Sequence, residues 1–227
     1  PLRWVIIIHL QLRMKIMEVK HSNYIHPELY TYDDNPAEWE RRFLKPELMS
    51  DNWELYVHEE LLNIYTIPAF TDEFCDFIME EAEACNCWTV DRHESYPTTD
   101  MVLGTIGLGD TYQKVLKKYI WPLSYKLFKL EGNSWLNMSS ENFIARYHPY
   151  AQYHLSLHHD AGQITTVVTL NEDFEGGGTY FPNQNSKLKG KKGDISIHPG
   201  QITHWHGGLP VEAGQRYIIV SFCSVKR

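Results

Sequence analysis

The order of patterns along the chain predicts an α+β fold, with helices first and a β-sandwich or barrel after them. Three observations carry that reading. Segments with apolar residues at helical spacing recur between Asn35 and about residue 129, two of them behind capping residues. From Ser140 onward, short runs rich in β-branched and aromatic residues alternate with Gly and Pro turns. One stretch of that second half ends in His158-His159-Asp160, and further His residues and Arg216 follow it downstream.

The 227 residues suit one large domain, or one domain with an extension, and can bury a sizeable core. Hydrophobic and charged fractions of 43% and 22% are ordinary, whereas 7 Trp and 14 Tyr make the chain rich in aromatics. A net charge of −8 argues against a general nucleic-acid binder. An acidic balance would suit a cationic substrate, although most such charges are solvated surface. Cys85 and Cys87 are too close for a CxxC redox pair, and no second Cys pair makes a zinc site. The apolar run Trp4–Leu10 is short and bracketed by Arg3, Arg13 and Lys15, so no membrane span is expected there. It is also a poor signal peptide, because no small-residue cleavage site follows. The absence of an initiator Met is expected of a piece cut from a larger protein.

Residues 1–34 read as a lead-in or linker, with strand-like alternation over Leu10–Ile16, and residues 35–227 as the domain. Asn35 caps a helix that begins at Pro36, carries Trp39, Phe43 and Leu44 on one face, and stops at Pro46. Leu62–Ile67 is a strand. Thr71 caps a helix over about 72–84 whose apolar face includes Phe74, Phe77 and Ile78. Asp91–Leu108 is loop and short strand. A helix over Asp110–Lys129 buries Val115, Leu116, Tyr119, Ile120 and Leu123, and Pro122 should kink it. Strands follow at Asn142–Tyr147, Gln163–Leu170, Thr179–Phe181, Gly193–His198 and Arg216–Phe222. The Lys run at 187, 189, 191 and 192 is a solvated loop.

His158 and Asp160 are two apart, so in an extended strand they share a face and can bind one metal side by side. A third ligand must come from far along the chain. His206 is favoured because Arg216 lies ten positions on, but His204 shares its face and strand geometry alone does not choose. Two His and one carboxylate with open positions opposite form the facial triad of non-haem Fe(II) oxygenases. A downstream Arg suits a bidentate grip on a co-substrate carboxylate. With 12 His in the chain, a His-x-Asp can also arise by chance as a hydrogen-bonded pair in a polar loop. The Arg at a strand start weighs against that. Zinc is the rival metal, but a structural zinc would need four closed ligands. His159 faces the other side, and His198, ahead of a turn, reads as structural.

Several stretches together resemble the catalytic domain of the collagen lysyl hydroxylases (procollagen-lysine 5-dioxygenases). They are His158-His159-Asp160-Ala161, Phe174-Glu175-Gly176-Gly177-Gly178, the string from His198 to His206, Gly208-Leu209-Pro210 and Arg216–Phe222. Weaker likeness reaches back through Pro97-Thr98-Thr99-Asp100 to Asn35–Trp39. The animal enzymes read HDAS where this chain has His159-Asp160-Ala161-Gly162, and carry Glu where it has Gly207. It therefore looks like a divergent member, similar to the giant-virus lysyl hydroxylases.

The resemblance implies a double-stranded β-helix (jelly-roll) core with flanking helices. It implies Fe(II) held by His158, Asp160 and His206, with 2-oxoglutarate chelating the iron and its distal carboxylate on Arg216. Tyr147 would add its hydroxyl to that carboxylate, the alternative being a core tyrosine. O2 and ascorbate complete the cofactor set. The reaction implied is hydroxylation of lysyl residues in collagen-like Gly-X-Lys sequences at C5, releasing succinate and CO2. Asp100 aligns with an acidic pair in the family and is the candidate partner for the lysyl ammonium, the alternative being an ordinary loop Asp. A homodimer is implied, acting in the endoplasmic reticulum lumen for animal members or in the infected host cell for a viral one. A prolyl hydroxylase of the same iron class and a non-catalytic collagen-binding jelly-roll module are the competing readings.

Overall fold

The computed structural model describes residues 24–130 and 138–225; the expected strand at Leu10–Ile16 and the apolar run before it lie outside them. A 3-10 turn at Pro27–Tyr30 leads into α1 (Pro36–Phe43), where the Asn35 side chain accepts from Glu38 N at 3.3 Å and Pro36 occupies the first turn. Leu29 and Tyr32 are buried, and Trp39 Nε1 donates to Leu29 O at 3.0 Å, so this part of the lead-in packs under α1. The single turn α2 (Pro46–Met49) starts at the proline that ends α1. A hairpin follows, β1 (His58–Leu61) and β2 (Ile64–Pro68), turning at Asn63 with positive φ. Helix α3 (Asp72–Cys85) is capped by Thr71, whose hydroxyl accepts from Phe74 N at 3.3 Å, and ends at Asn86 in the left-handed region. Strand β3 (Thr99–Val102) is the short strand expected in the 91–108 stretch.

The helix expected over 110–129 is interrupted in its middle. Helix α4 (Gly109–Val115) runs into a wide π turn at Leu116–Ile120, and α5 (Trp121–Leu127) resumes with Pro122 in its first turn. Proline supplies no N–H and its ring crowds the preceding turn, and the wider turn absorbs both.

The remaining strands are β4 (Met138–Tyr147), β5 (Leu155–His158), β6 (Ile164–Thr169), β7 (Phe174–Gly176), β8 (Thr179–Phe181), β9 (Ser186–Leu188), β10 (Asp194–Pro199), β11 (His206–Gly208), β12 (Val211–Gly214) and β13 (Arg216–Val225). They form a seven-stranded sheet in the order β1-β2-β10-β6-β13-β4-β3 and a four-stranded sheet in the order β5-β11-β8-β9, with β12 and β7 paired beside them. Every pairing is antiparallel. Two antiparallel sheets with the helices outside the larger one is the jelly-roll architecture with flanking helices.

The large sheet is buried on both faces, and period-2 alternation sorts its central strands. Ile144, Val168, Ile195, Ile197, Ile219 and Cys223 pack toward Phe43, Phe70, Phe74, Tyr112 and Trp121 of the helical layer. Phe143, Ala145, Tyr147 and Ile218 face the other way, against Phe174 and Val211. Phe70 ties α3 to α4, with its ring 4.4 Å from Phe74 and 5.8 Å from Tyr112. The structure also gives the state of the four cysteines, which their spacing left open. Cys85 and Cys87 form a disulfide across Asn86, whereas Cys75 and Cys223 are free and buried.

Phe70→Ala should therefore destabilise the fold by about 3–5 kcal/mol, the range for emptying an aromatic core site. Chemical denaturation with an unchanged m-value measures it.

Candidate metal centre and active-site cleft

Strand β5 delivers His158 at its end, and β11 begins with His206. The two are direct cross-strand partners, with ring centroids 4.6 Å apart. Asp160 follows His158 past one exposed residue, His159. Its main-chain N–H donates to Gly200 O at 2.7 Å, which fixes the chain just beyond β5 against the turn after β10. That contact needs glycine, because a Cβ on Gly200 would lie 2.3 Å from Gly162 O. The Asp160 oxygens stand 3.3 Å from His158 Nε2 and 3.4 Å from His206 Nε2. One ligand atom from each residue lies within 4.8 Å of the others, the one such metal-sized group among the described residues.

Hydrogen bonds fix both imidazoles for this arrangement. His158 Nδ1 donates to Ser156 O and His206 Nδ1 donates to His204 O, each at 2.8 Å. A carbonyl only accepts, so the proton sits on Nδ1 and the Nε2 lone pair faces the centre. Thr165 Oγ1 donates to Asp160 Oδ2 at 2.6 Å and orients the carboxylate from β6. Burial opposes the charge on Asp160, but in the metal-free protein a second proton on His158, carried on Nε2 and bonded to the carboxylate, the neighbouring imidazoles and Thr165 outweigh it and hold its pKa below the usual carboxylate value. Burial likewise opposes protonation of His158, yet its bonds to Asp160 and Ser156 O move its pKa up. For His206 burial prevails and the pKa falls.

His204, the other candidate, is turned away. Its Nε2 meets Leu62 O at 3.2 Å and its Nδ1 meets Thr203 Oγ1 at 2.8 Å, so both nitrogens are occupied. His198 is buried beside His206, and burial pushes its pKa down to about 3, so it stays neutral.

The three residues open onto a cleft of about 450 Å³ between the two sheets. The alternating residues Phe143, Ala145, Ile218 and Val220 give it an apolar floor. Arg216, the first residue of β13, pairs with Tyr147, the last of β4, and its guanidinium lies 5.4 Å from the Tyr147 ring centre. It is 5% exposed, and its contacts are long, 3.4 Å to Gly178 O and 3.5 Å to Thr179 Oγ1. No carboxylate of the described residues pairs with it. Burial lowers its pKa, but a guanidinium stays charged throughout the ordinary range, so the cleft holds an uncompensated cation.

Asp100 sits behind the cleft wall, held by the lining residues Arg92, His93 and Thr98. It is 0% exposed on β3, paired with Arg92 and accepting from Thr98 Oγ1, and does not line the cleft. The ammonium partner expected there is therefore already engaged in a buried ion pair. The carboxylates that do line the cleft are Asp160 and, at its mouth, Glu94. Glu94 carried no signal in the sequence beyond its closeness to the Pro97–Asp100 stretch.

A model of the OGFOD2-like domain matches residues 19–133, and one of the 2OG-Fe(II) oxygenase superfamily matches residues 143–224, which include the three clustered residues and Arg216. The rat multifunctional procollagen lysine hydroxylase and glycosyltransferase LH3 is 32% identical over 92% of this chain. Mouse procollagen-lysine,2-oxoglutarate 5-dioxygenase 2 is 31% identical over 89% of it. The chain belongs to the procollagen lysyl hydroxylase family of 2OG-Fe(II) oxygenases. It spans about 30% of the length of the rat relative and 29% of the mouse one. Among solved structures, the 2OG complex of the viral collagen prolyl hydroxylase from Paramecium bursaria Chlorella virus-1 shares the fold. Its TM-score is 0.53 at 20% identity, over 71% of this chain and 96% of that one. A Pseudomonas putida prolyl-4-hydroxylase does so with TM-score 0.53 at 14% identity, over 73% and 94%.

The donor set of this family member fits the Fe(II) that the family implies. It offers two neutral imidazole nitrogens, one ionised carboxylate and open space opposite them. His206→Ala should abolish tight Co(II) or Fe(II) binding, whereas His204→Ala should retain it, as read by calorimetry. Affinity should fall as pH falls, because the raised pKa of His158 makes proton and metal compete for Nε2. Proton release on binding, measured in two buffers of different ionisation enthalpy, checks the sign.

Proposed function

We propose that this domain hydroxylates lysyl residues of collagen-like Gly-X-Lys sequences at C5, using Fe(II), O2 and 2-oxoglutarate. The observation that carries this reading is Arg216, a buried cation without an acidic partner in the same cleft as His158, Asp160 and His206. Leaving such a charge unpaired is costly, and a dicarboxylate that spans from the metal to the guanidinium removes the cost. His158, Asp160 and His206 would hold the iron. Arg216 would bind the far carboxylate of 2-oxoglutarate in a fork, with the hydroxyls of Thr179 and Tyr147 beside it. When bound, ferrous iron supplies the redox chemistry that turns O2 and 2-oxoglutarate into succinate, CO2 and a hydroxylated substrate carbon. The chain's own task is positional: the apolar floor keeps water from the reacting atoms, and the donors fix the co-substrate's orientation.

Glu94 at the mouth supports a lysyl over a prolyl substrate, because a carboxylate there stabilises an entering ammonium, whereas proline offers it nothing. Ascorbate as the reductant that restores Fe(II), a homodimeric state, and action in the endoplasmic reticulum lumen or in an infected host cell belong to the same reading.

Incubation with Fe(II), 2-oxoglutarate and paired Gly-X-Lys and Gly-X-Pro peptides tests it. The expected result is a gain of one oxygen on lysine, and a gain on proline alone rejects the lysyl reading. Arg216→Ala should raise the KM for 2-oxoglutarate roughly thirtyfold or more, the effect of losing about 2–5 kcal/mol from a buried charge pair. Glu94→Gln should raise the KM for the lysyl peptide about fivefold, as suits an exposed ion pair of about 1 kcal/mol. That change should leave the KM for 2-oxoglutarate in place.

A further inference from the structure

Beside the cleft lies a second groove, of about 200 Å³, that shares Ser95, Tyr96 and Leu155 with it. Pro97 stands on one side of this groove and Tyr153 on the other. Tyr96 marks the junction, with its ring 5.0 Å from that of His158. Both tyrosines present open rings, Tyr96 being 39% and Tyr153 44% exposed.

The groove is built rather than left between loose segments. Gln152, itself part of the lining, donates to Pro97 O at 2.7 Å and accepts from Thr99 N, so the segments around 97 and 152 are tied together. Tyr153 O accepts from Val211 N at 2.8 Å, which anchors the second wall to β12. The run 151–156 that lines the groove leads into β5, and β5 is an edge strand of its sheet. An edge strand leaves main-chain groups available to an extended chain.

The lining has no Asp, Glu, Lys or Arg, in contrast to the cleft, which is lined by Glu94 and by Arg92, whose charge is already taken up by Asp100 and Glu141. We propose that this groove binds the polypeptide flanking the oxidised residue, as an extended, proline-rich chain laid across Tyr96 and Tyr153. The inference rests on the reading of the cleft as a site for a peptidyl side chain. The division of charge matches such a substrate: the cationic side chain enters beside Glu94, while uncharged neighbours cross the groove. A polyproline II segment is extended before it binds and makes no hydrogen bonds of its own. It therefore loses little entropy on an aromatic platform and keeps its carbonyls free for donors along β5.

The test compares two blocked peptides with one target lysine each. One is a single Gly-Pro-Lys triplet, and in the other the same triplet is flanked by Gly-Pro-Pro triplets. The readout is the ratio of their KM values, which a general loss of folding or activity does not move. For the unmodified protein the flanked peptide should have a KM roughly tenfold lower, from about 1.4 kcal/mol of ring contacts. Tyr153→Ala should reduce that ratio to about threefold or less, and Tyr153→Phe, which keeps the ring, should preserve it. A ratio unchanged by Tyr153→Ala overturns the proposal, as does an equal gain from Gly-Ala-Ala flanks. If the unmodified protein oxidises the short peptide but gains nothing from flanks, the groove fails and the cleft reading stands. If it oxidises neither peptide, both fail.

Discussion

The geometry of the centre depends on one register, the pairing of β5 with β11 that sets His158 opposite His206. Side chains alternate across a strand, so a slip of one residue would turn either imidazole to the far face. Such a slip is resisted on both sides. Asp160 N is bonded to Gly200 O just beyond β5, and Gly208 is paired with Leu155 at its start. The carboxylate itself is oriented from the other sheet by Thr165, whose Cα partner across β6 and β10 is His198. The three-residue centre is thus tied to both layers, and none of its members depends on an exposed loop alone.

The large sheet explains how an uncompensated guanidinium can be kept in a dry place. Its central strands are covered by helices on one face and by the smaller sheet on the other, so their register is determined twice over. Arg216 opens β13 opposite Tyr147, and both strands continue in step for ten residues each. The packing of Ile219 and Ile144 beneath the helices therefore sets the position of a cation on the opposite face. Stability in the helical layer is converted into precision in the cleft. The charge that remains unpaired favours an anionic co-substrate over a neutral one.

The parts of this arrangement that were legible in the sequence are local. Asn35 and Thr71 declared their helices because capping is settled within three residues, and His158 and Asp160 declared a shared face because a strand alternates every two. The parts that were not legible depend on distant partners. Asp100 is an acid near a cleft-lining loop in any reading of the chain. Its engagement follows from the bridge of Thr89 with Asp100, which folds Arg92 back onto it. His204 and His206 share a face by spacing, and only the approach of Leu62, 142 positions away, takes His204 out of contention. The Cys85–Cys87 bond needs Asn86 in the left-handed region at the end of α3, a conformation that two cysteines one residue apart do not announce. The π turn before Pro122 was foreshadowed by the proline, but a wider turn and a kink leave the same trace in sequence.

Two glycines beside the centre have a common physical feature. At Gly162 a Cβ would lie 2.9 Å from Cys223 N. At Gly207 a Cβ would lie 2.8 Å from Leu155 O. Real Cβ atoms do not approach backbone so closely, so any side chain at either position would push two main-chain segments apart. The first pair of segments joins the Asp160 loop to β13, and the second joins β11 to β5, the strands that bring His206 and His158 together. At both places the main chain around the centre is packed to a spacing that glycine permits, and a larger residue at either would separate segments that carry His158, Asp160 and His206.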